Sequence, residues 1–123
     1  MTEDKGVGKM VNAEGKEKEK NVWGKRSEWV DYDGPVDGQT VGVAIFDTPG
    51  NPRYPTYWHA RAYGLFAANP FGLHDFMNDK SQNGSMTVEK GETVRFRYRV
   101  VIHAGDFQQA DIGRLYKQYV AEK

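Results

Sequence analysis

Residues with chemical reach crowd into one stretch of the chain, NPRYPTYWHARAYGLFAANPFG, Asn51 to Gly72. It carries Trp58, Tyr54, Tyr57, Tyr63, Phe66 and Phe71 beside Arg53, Arg61, His59 and two Asn-Pro steps, Asn51-Pro52 and Asn69-Pro70. Aromatic faces next to guanidinium and imidazole donors make a binding surface, for a ligand that the residues alone do not name. From Trp58 to Tyr63 the residue types alternate. Trp58, Ala60 and Ala62 fall on one side of an extended segment, and His59, Arg61 and Tyr63 fall together on the other. Arg53, Trp58, His59, Arg61, Tyr63, Asn69 and Phe71 are therefore the candidate ligand-binding residues. The same composition also suits a structural plug, with rings covering the open end of a sandwich and Arg61 tied to backbone carbonyls. The sequence leaves both readings open.

A second constellation lies further on. Arg95, Arg97 and Arg99 would project from one strand face at ~6–7 Å intervals. Such a ladder could clasp a uronate, sulfate or phosphate, or guard the strand against edge-to-edge pairing. Arg99, nearest the strand end that carries His103, joins His103 as a candidate. His59, His74 and His103 with Asp75 and Asp106 lack the spacing of a metal site, so no metal and no other cofactor is expected. There is no cysteine, no Gly-x-Ser-x-Gly elbow, no GxGxxG and no P-loop. An acid–base pair built on His59 or His103 stays open, but no spacing singles one out.

These residues need elements to hold them. EWVDY reads as a strand over about 28–32 ending in a turn at Asp33-Gly34-Pro35, with a further short strand conceivable at 21–25. TVGVAIFD, Thr40 to Asp47, alternates Val41, Val43 and Ile45 against Gly42, Ala44 and Phe46, a strand covered on both faces. Leu73 to Gly84 is a polar connector with one helical turn. SMTVEKGETVRFRYRVVIHAGD reads as a hairpin turning at Glu89–Glu92. In its second strand Val94, Phe96, Tyr98, Val100 and Ile102 oppose Arg95, Arg97, Arg99, Val101 and His103. Asp106 is placed to cap a helix carrying Ile112, Leu115, Tyr116, Tyr119 and Val120 on one stripe.

At 123 residues the chain has the length of one domain. A formal net charge of 0 argues against a nucleic-acid binder. The mean hydropathy of −0.77 is low, but three Trp, seven Tyr and six Phe supply large burial areas. Fourteen glycines favour turns and sheet over a bundle. No apolar run approaches the ~18 residues of a membrane helix, so no membrane partner is expected, and MTEDKGVGK lacks the apolar centre of a signal peptide. Residues 1–20, with EGKEKEK, read as a charged, mobile segment with almost nothing to bury. Residues 21–123 read as a single, mainly β, antiparallel sandwich with a C-terminal amphipathic helix.

WGxRxxWVDYxG, GVAIFDxPxNPRxPTxWHxR, YGLFxANPFG and FRYRVVxHxGD, spread over Val22 to Tyr119, together resemble the C-terminal portion of the PmoA-like family, bacterial domains of unknown function often labelled methane oxygenase. Where relatives of that family often carry Asp before Tyr-Gly, this chain has Ala62. The resemblance implies half of a larger sugar-processing sandwich, and secretion or a periplasmic location. It favours a module that binds or acts on a saccharide, with a structural or oligomerising domain and a metal-dependent oxygenase component as alternatives. The chain offers no cluster of ligands for the last of these. A half-sandwich leaves a sheet face or edge without cover, so a homodimer through the Val94–Ile102 or Val41–Ile45 sheet is expected.

Overall fold

A computed structural model describes residues 2–77 and 81–122. Among the described residues, a 3-10 turn at Glu3–Lys5 is followed by six strands and three α-helices: β1 (Lys9–Asn12), α1 (Glu19–Val22), β2 (Trp29–Val36), β3 (Gln39–Asp47), β4 (Trp58–Ala60), β5 (Phe66–Ala68), α2 (Leu73–Phe76), β6 (Tyr98–Ala104) and α3 (Ile112–Ala121). The main sheet is antiparallel in the order β1-β2-β3-β6, and β4-β5 form a two-stranded ribbon. The fold is mainly β, sandwich-like and closed by a C-terminal helix, as the patterning indicates.

The two faces of the main sheet carry separate cores. On one, Met10, Val30 and Tyr32 pack with Val22, Trp58 and Ala60, so α1 and the β4-β5 ribbon cover β1 and β2. On the other, Val11, Trp29, Ala44 and Phe46 pack with Ile112 and Tyr116 of α3. Phe46 meets the Tyr116 ring edge-on at 5.4 Å, a favourable aromatic geometry.

The structure departs from the sequence reading in four places, each for a local reason. Residues 9–12 pair with β2 as β1, and Met10 and Val11 are buried, so the segment 1–20 contributes to both cores. Around 21–25 the chain makes the single turn α1 instead of a strand. The Glu89–Glu92 turn forms, with Glu92 N donating to Glu89 O at 2.9 Å, but its arms carry no ladder and β6 begins only at Tyr98. Asp106 caps a turn of its own. Its Oδ1 accepts from Gln109 N at 2.8 Å while Gln109 Oε1 accepts from Asp106 N, and α3 starts later, after Asp111 at a left-handed φ of 54°.

The largest difference concerns β6. Its Val101 and His103 side, the row that also carries the arginines, is the one on which α3 packs. Its apolar side is open, with Val100 59% and Ile102 81% exposed.

Candidate functional site

The stretch from Asn51 to Gly72 divides into a scaffold and a displayed face. Asp47, at the end of β3, organises the scaffold from a buried position. Its Oδ1 accepts from Thr48 N at 2.9 Å and Asn51 Nδ2 at 2.6 Å, and its Oδ2 accepts from Thr56 N at 2.9 Å. Asn51 in turn mimics a strand partner for Arg97, accepting its N–H at 2.8 Å and donating to its carbonyl at 2.6 Å. These bonds satisfy backbone groups that a buried loop would otherwise leave unpaired.

Arg53 belongs to this scaffold. It sits at a left-handed φ of 65°, unfavourable for a residue with a Cβ. Its guanidinium offsets that by donating to the carbonyls of Pro70 at 2.9 Å, Ser85 at 2.7 Å and Gly84. The guanidinium tied to carbonyls is thus Arg53, not Arg61. Trp58 is fully buried and its Nε1 donates to Ser27 O at 2.8 Å, so its ring presents no face to a ligand. Asn69 closes a turn, its Oδ1 accepting from Phe71 N at 2.9 Å. Phe71 remains 49% exposed, edge-on to Phe96 at 5.7 Å.

The outward side of β4 gathers what the alternation places there. Arg61 lies over the Trp23 ring at 5.7 Å and the Tyr63 ring at 5.6 Å, a guanidinium shared by two π-faces. Its Nε stands 3.2 Å from Glu19 Oε2 without the alignment of a hydrogen bond, and Glu19 Oε2 also accepts from Ala62 N at 2.5 Å. His59 meets Trp23 edge-on at 6.3 Å and Phe76 at 5.7 Å. Trp23 Nε1 is buried and unpartnered among the described residues, and Tyr63 is 58% exposed. The structure therefore brings His59, Arg61 and Tyr63 together. Trp23, Glu19 and Phe76, which the sequence reading did not include, complete the cluster. Trp23 precedes Gly24, whose left-handed φ of 70° turns the chain against Phe76, but no spacing rule links it to Arg61.

Arg99 and His103 lie elsewhere. Arg99 makes a fork with Glu122, at 3.0 and 2.9 Å, and covers the Tyr119 ring at 4.5 Å. His103 Nε2 hydrogen-bonds Asp31 Oδ1 beneath Phe107 and α3, with the His103 side chain 6% exposed and that of Asp31 fully buried. Asp31 and Asp33, two carboxylates at alternate positions of β2, went unremarked in the sequence. A VDYDG strand shows no reason for burying both, because the reason is the imidazole from another strand. Burial pushes the Asp31 carboxyl up to about 7, against the stabilising bond from His103 and with a further push from Asp33. Among the described residues no group of three His, Asp or Glu side chains is arranged to hold a metal ion.

The fold and these residues define an antiparallel, sandwich-like β domain that buries an aspartate–histidine pair under its helix and displays an aromatic–guanidinium cluster on its ribbon. The chain belongs to DUF6807, a family of unknown function, whose model matches residues 2–117. This corrects the PmoA-like resemblance: the family matched is DUF6807, and the methane-oxygenase label loses its basis. No curated protein and no solved structure matches the chain.

Proposed function

We propose that this domain works by association, as an assembly module that joins a second copy of itself through β6. The observation that carries this reading is the open apolar side of β6, where Ile102 is 81% and Val100 59% exposed at the edge of the main sheet. Contiguous exposed apolar surface and a free strand edge are both liabilities that proteins cover. The opposite edge is already covered, since Val11 of β1 bridges to Glu17 and Lys18 N donates to Met10 O. Among the described residues nothing pairs with the outer edge of β6.

A second copy fits that edge by its sequence. Antiparallel pairing of β6 with its own two-fold mate about Val101 sets Val100 opposite Ile102 in both directions, so four aliphatic side chains meet on one face. The depression between Tyr32, Val43 and Phe66 continues that face inward. Sedimentation at tens of micromolar is expected to give two chains per particle for the wild type. Ile102→Lys is expected to give one chain that still unfolds cooperatively, with a melting temperature that no longer depends on protein concentration. A monomeric wild type would remove this reading.

The cluster on β4 favours a second reading, saccharide binding. It keeps one exposed ring, Tyr63, beside the Arg61 guanidinium. A stacking face with adjacent donors and the Glu19 acceptor suits a sugar ring and its hydroxyls. On a glycan array the wild type is expected to retain at least one saccharide, and Tyr63→Ala and Arg61→Ala to lose it while melting within a few degrees of the wild type. Binding that survives both substitutions would place the ligand away from this cluster.

A further inference from the structure

One row across the main sheet places Lys9 of β1, Asp33 of β2, Gly42 of β3 and His103 of β6 side by side. The next row places Asp31 between Val11 and Ala44. His103 can reach Asp31 only by lying flat across β3, and Gly42 makes that possible. A Cβ on Gly42 would stand 2.5 Å from His103 Cε1 and 2.8 Å from Asp33 Cβ. The imidazole thus ties the edge strand to the strand two places inward, through a bond that spans the strand between.

The surroundings leave this cluster few other charges. From β1, Lys9 turns to Glu17 at 3.2 Å and lies over the Phe107 ring at 5.2 Å. From the loop before α3, Phe107 N donates to Asp33 Oδ2 at 3.2 Å, while Asp106 is engaged with Gln109. On β6 itself, Arg99 is turned to Glu122. From α3, Ile112 and Tyr116 add apolar surface to the core on this face. Asp31 Oδ2 is buried and has no hydrogen-bond partner among the described residues. Burial, with the Asp33 carboxylate beside it, favours the protonated form of the Asp31 carboxyl.

We infer that Asp31, held by His103 across Gly42 and flanked by Asp33, forms a proton-dependent latch that fixes β6 to the sheet, firm in mild acid and loosened as the Asp31 proton leaves. The direction follows from linkage. Asp31 has an ordinary value of 3.8 and is raised to about 7 in the folded chain, chiefly by burial. Between those values the folded state holds a proton that the unfolded state has released. Its contribution is complete below the lower value and is lost as pH rises through the upper one.

The test is the unfolding equilibrium from pH 5 to pH 8 together with the carboxyl carbon shift of Asp31. For the wild type the contribution of this group is expected to raise the unfolding constant by at most about tenfold per pH unit. Asp31→Asn is expected to remove that component, and Asp33→Asn to move it to lower pH. The Asp31 carboxyl signal is expected to titrate near neutrality. Exchange protection of the Val100–Ala104 amides, taken relative to those of Met10–Asn12 in the same sample, is expected to fall from pH 5 to pH 8. An Asp31 carboxyl titrating near pH 4 in the folded wild type, or a constant protection ratio, would overturn the latch, whether or not Asp31→Asn folds.

Discussion

Trp58→Ala is expected to destabilise the domain by about 3–5 kcal/mol, enough to leave a large share of a marginally stable chain unfolded. The ring is fully buried among Met10, Val22, Val30 and Tyr32, so its loss opens a cavity between the β4-β5 ribbon and the main sheet. The substitution also removes the indole donor to the Ser27 carbonyl, a buried acceptor left to find another partner. Denaturant unfolding monitored by far-UV circular dichroism measures the loss. A shift of less than about 1 kcal/mol would show that the ribbon collapses onto the gap without cost, against ordinary core behaviour. The contrast with Tyr63→Ala is informative, because both aromatics sit in one segment and only Tyr63 faces solvent.

Gly42→Ala is the second substitution with a large expected effect. Only one methyl group is added, yet it would overlap His103 Cε1, His103 Nε2 and Asp33 Cβ, at 2.5, 2.6 and 2.8 Å. The imidazole is nearly buried, its side chain only 6% exposed, and it lies directly over the glycine. It must leave Asp31, and a buried carboxylate stripped of its partner typically costs about 3–5 kcal/mol. Backbone strain is not the cause, because the effect comes from the row that His103 crosses. Pairing Gly42→Ala with His103→Ala provides the check. The double variant removes the clash, so adding Gly42→Ala to a His103→Ala background is expected to cost much less than adding it to the wild type. Equal costs in the two backgrounds would show that the glycine serves some other need.

Much of the framework was legible in the sequence because its information is local. The alternation in Thr40–Asp47 appears as β3, the strand expected over about 28–32 as β2, which runs on through Asp33, Gly34 and Pro35 to Val36, and the stripe of Ile112, Tyr116 and Tyr119 as the buried side of α3. The alternation is seen over β4 alone, setting Trp58 and Ala60 inward against His59, and beyond it the chain turns, with Gly64 N donating to Arg61 O. β1 was harder to see. Four residues, KMVN, between charged neighbours carry too little pattern to register, and pairing with β2 makes them a strand.

What the sequence determined by itself is the period of each element and hence which residues share a face. It did not determine which of two faces is buried, because that depends on what folds back over the sheet. β6 shows this most plainly. Its aliphatic row looks like the inward side and its Arg99–His103 row like the outward one. The chain reverses after Gly105 and lays α3 over the Arg99–His103 row, so His103 becomes a core residue and Ile102 the most exposed large aliphatic. Arg53 and Arg61 were indistinguishable as residue types, and only position made one a clamp on three carbonyls and the other a displayed cation. The Asp31–His103 pair lay beyond sequence reading for the same reason. Its members are 72 residues apart and meet across a glycine whose only qualification is having no side chain.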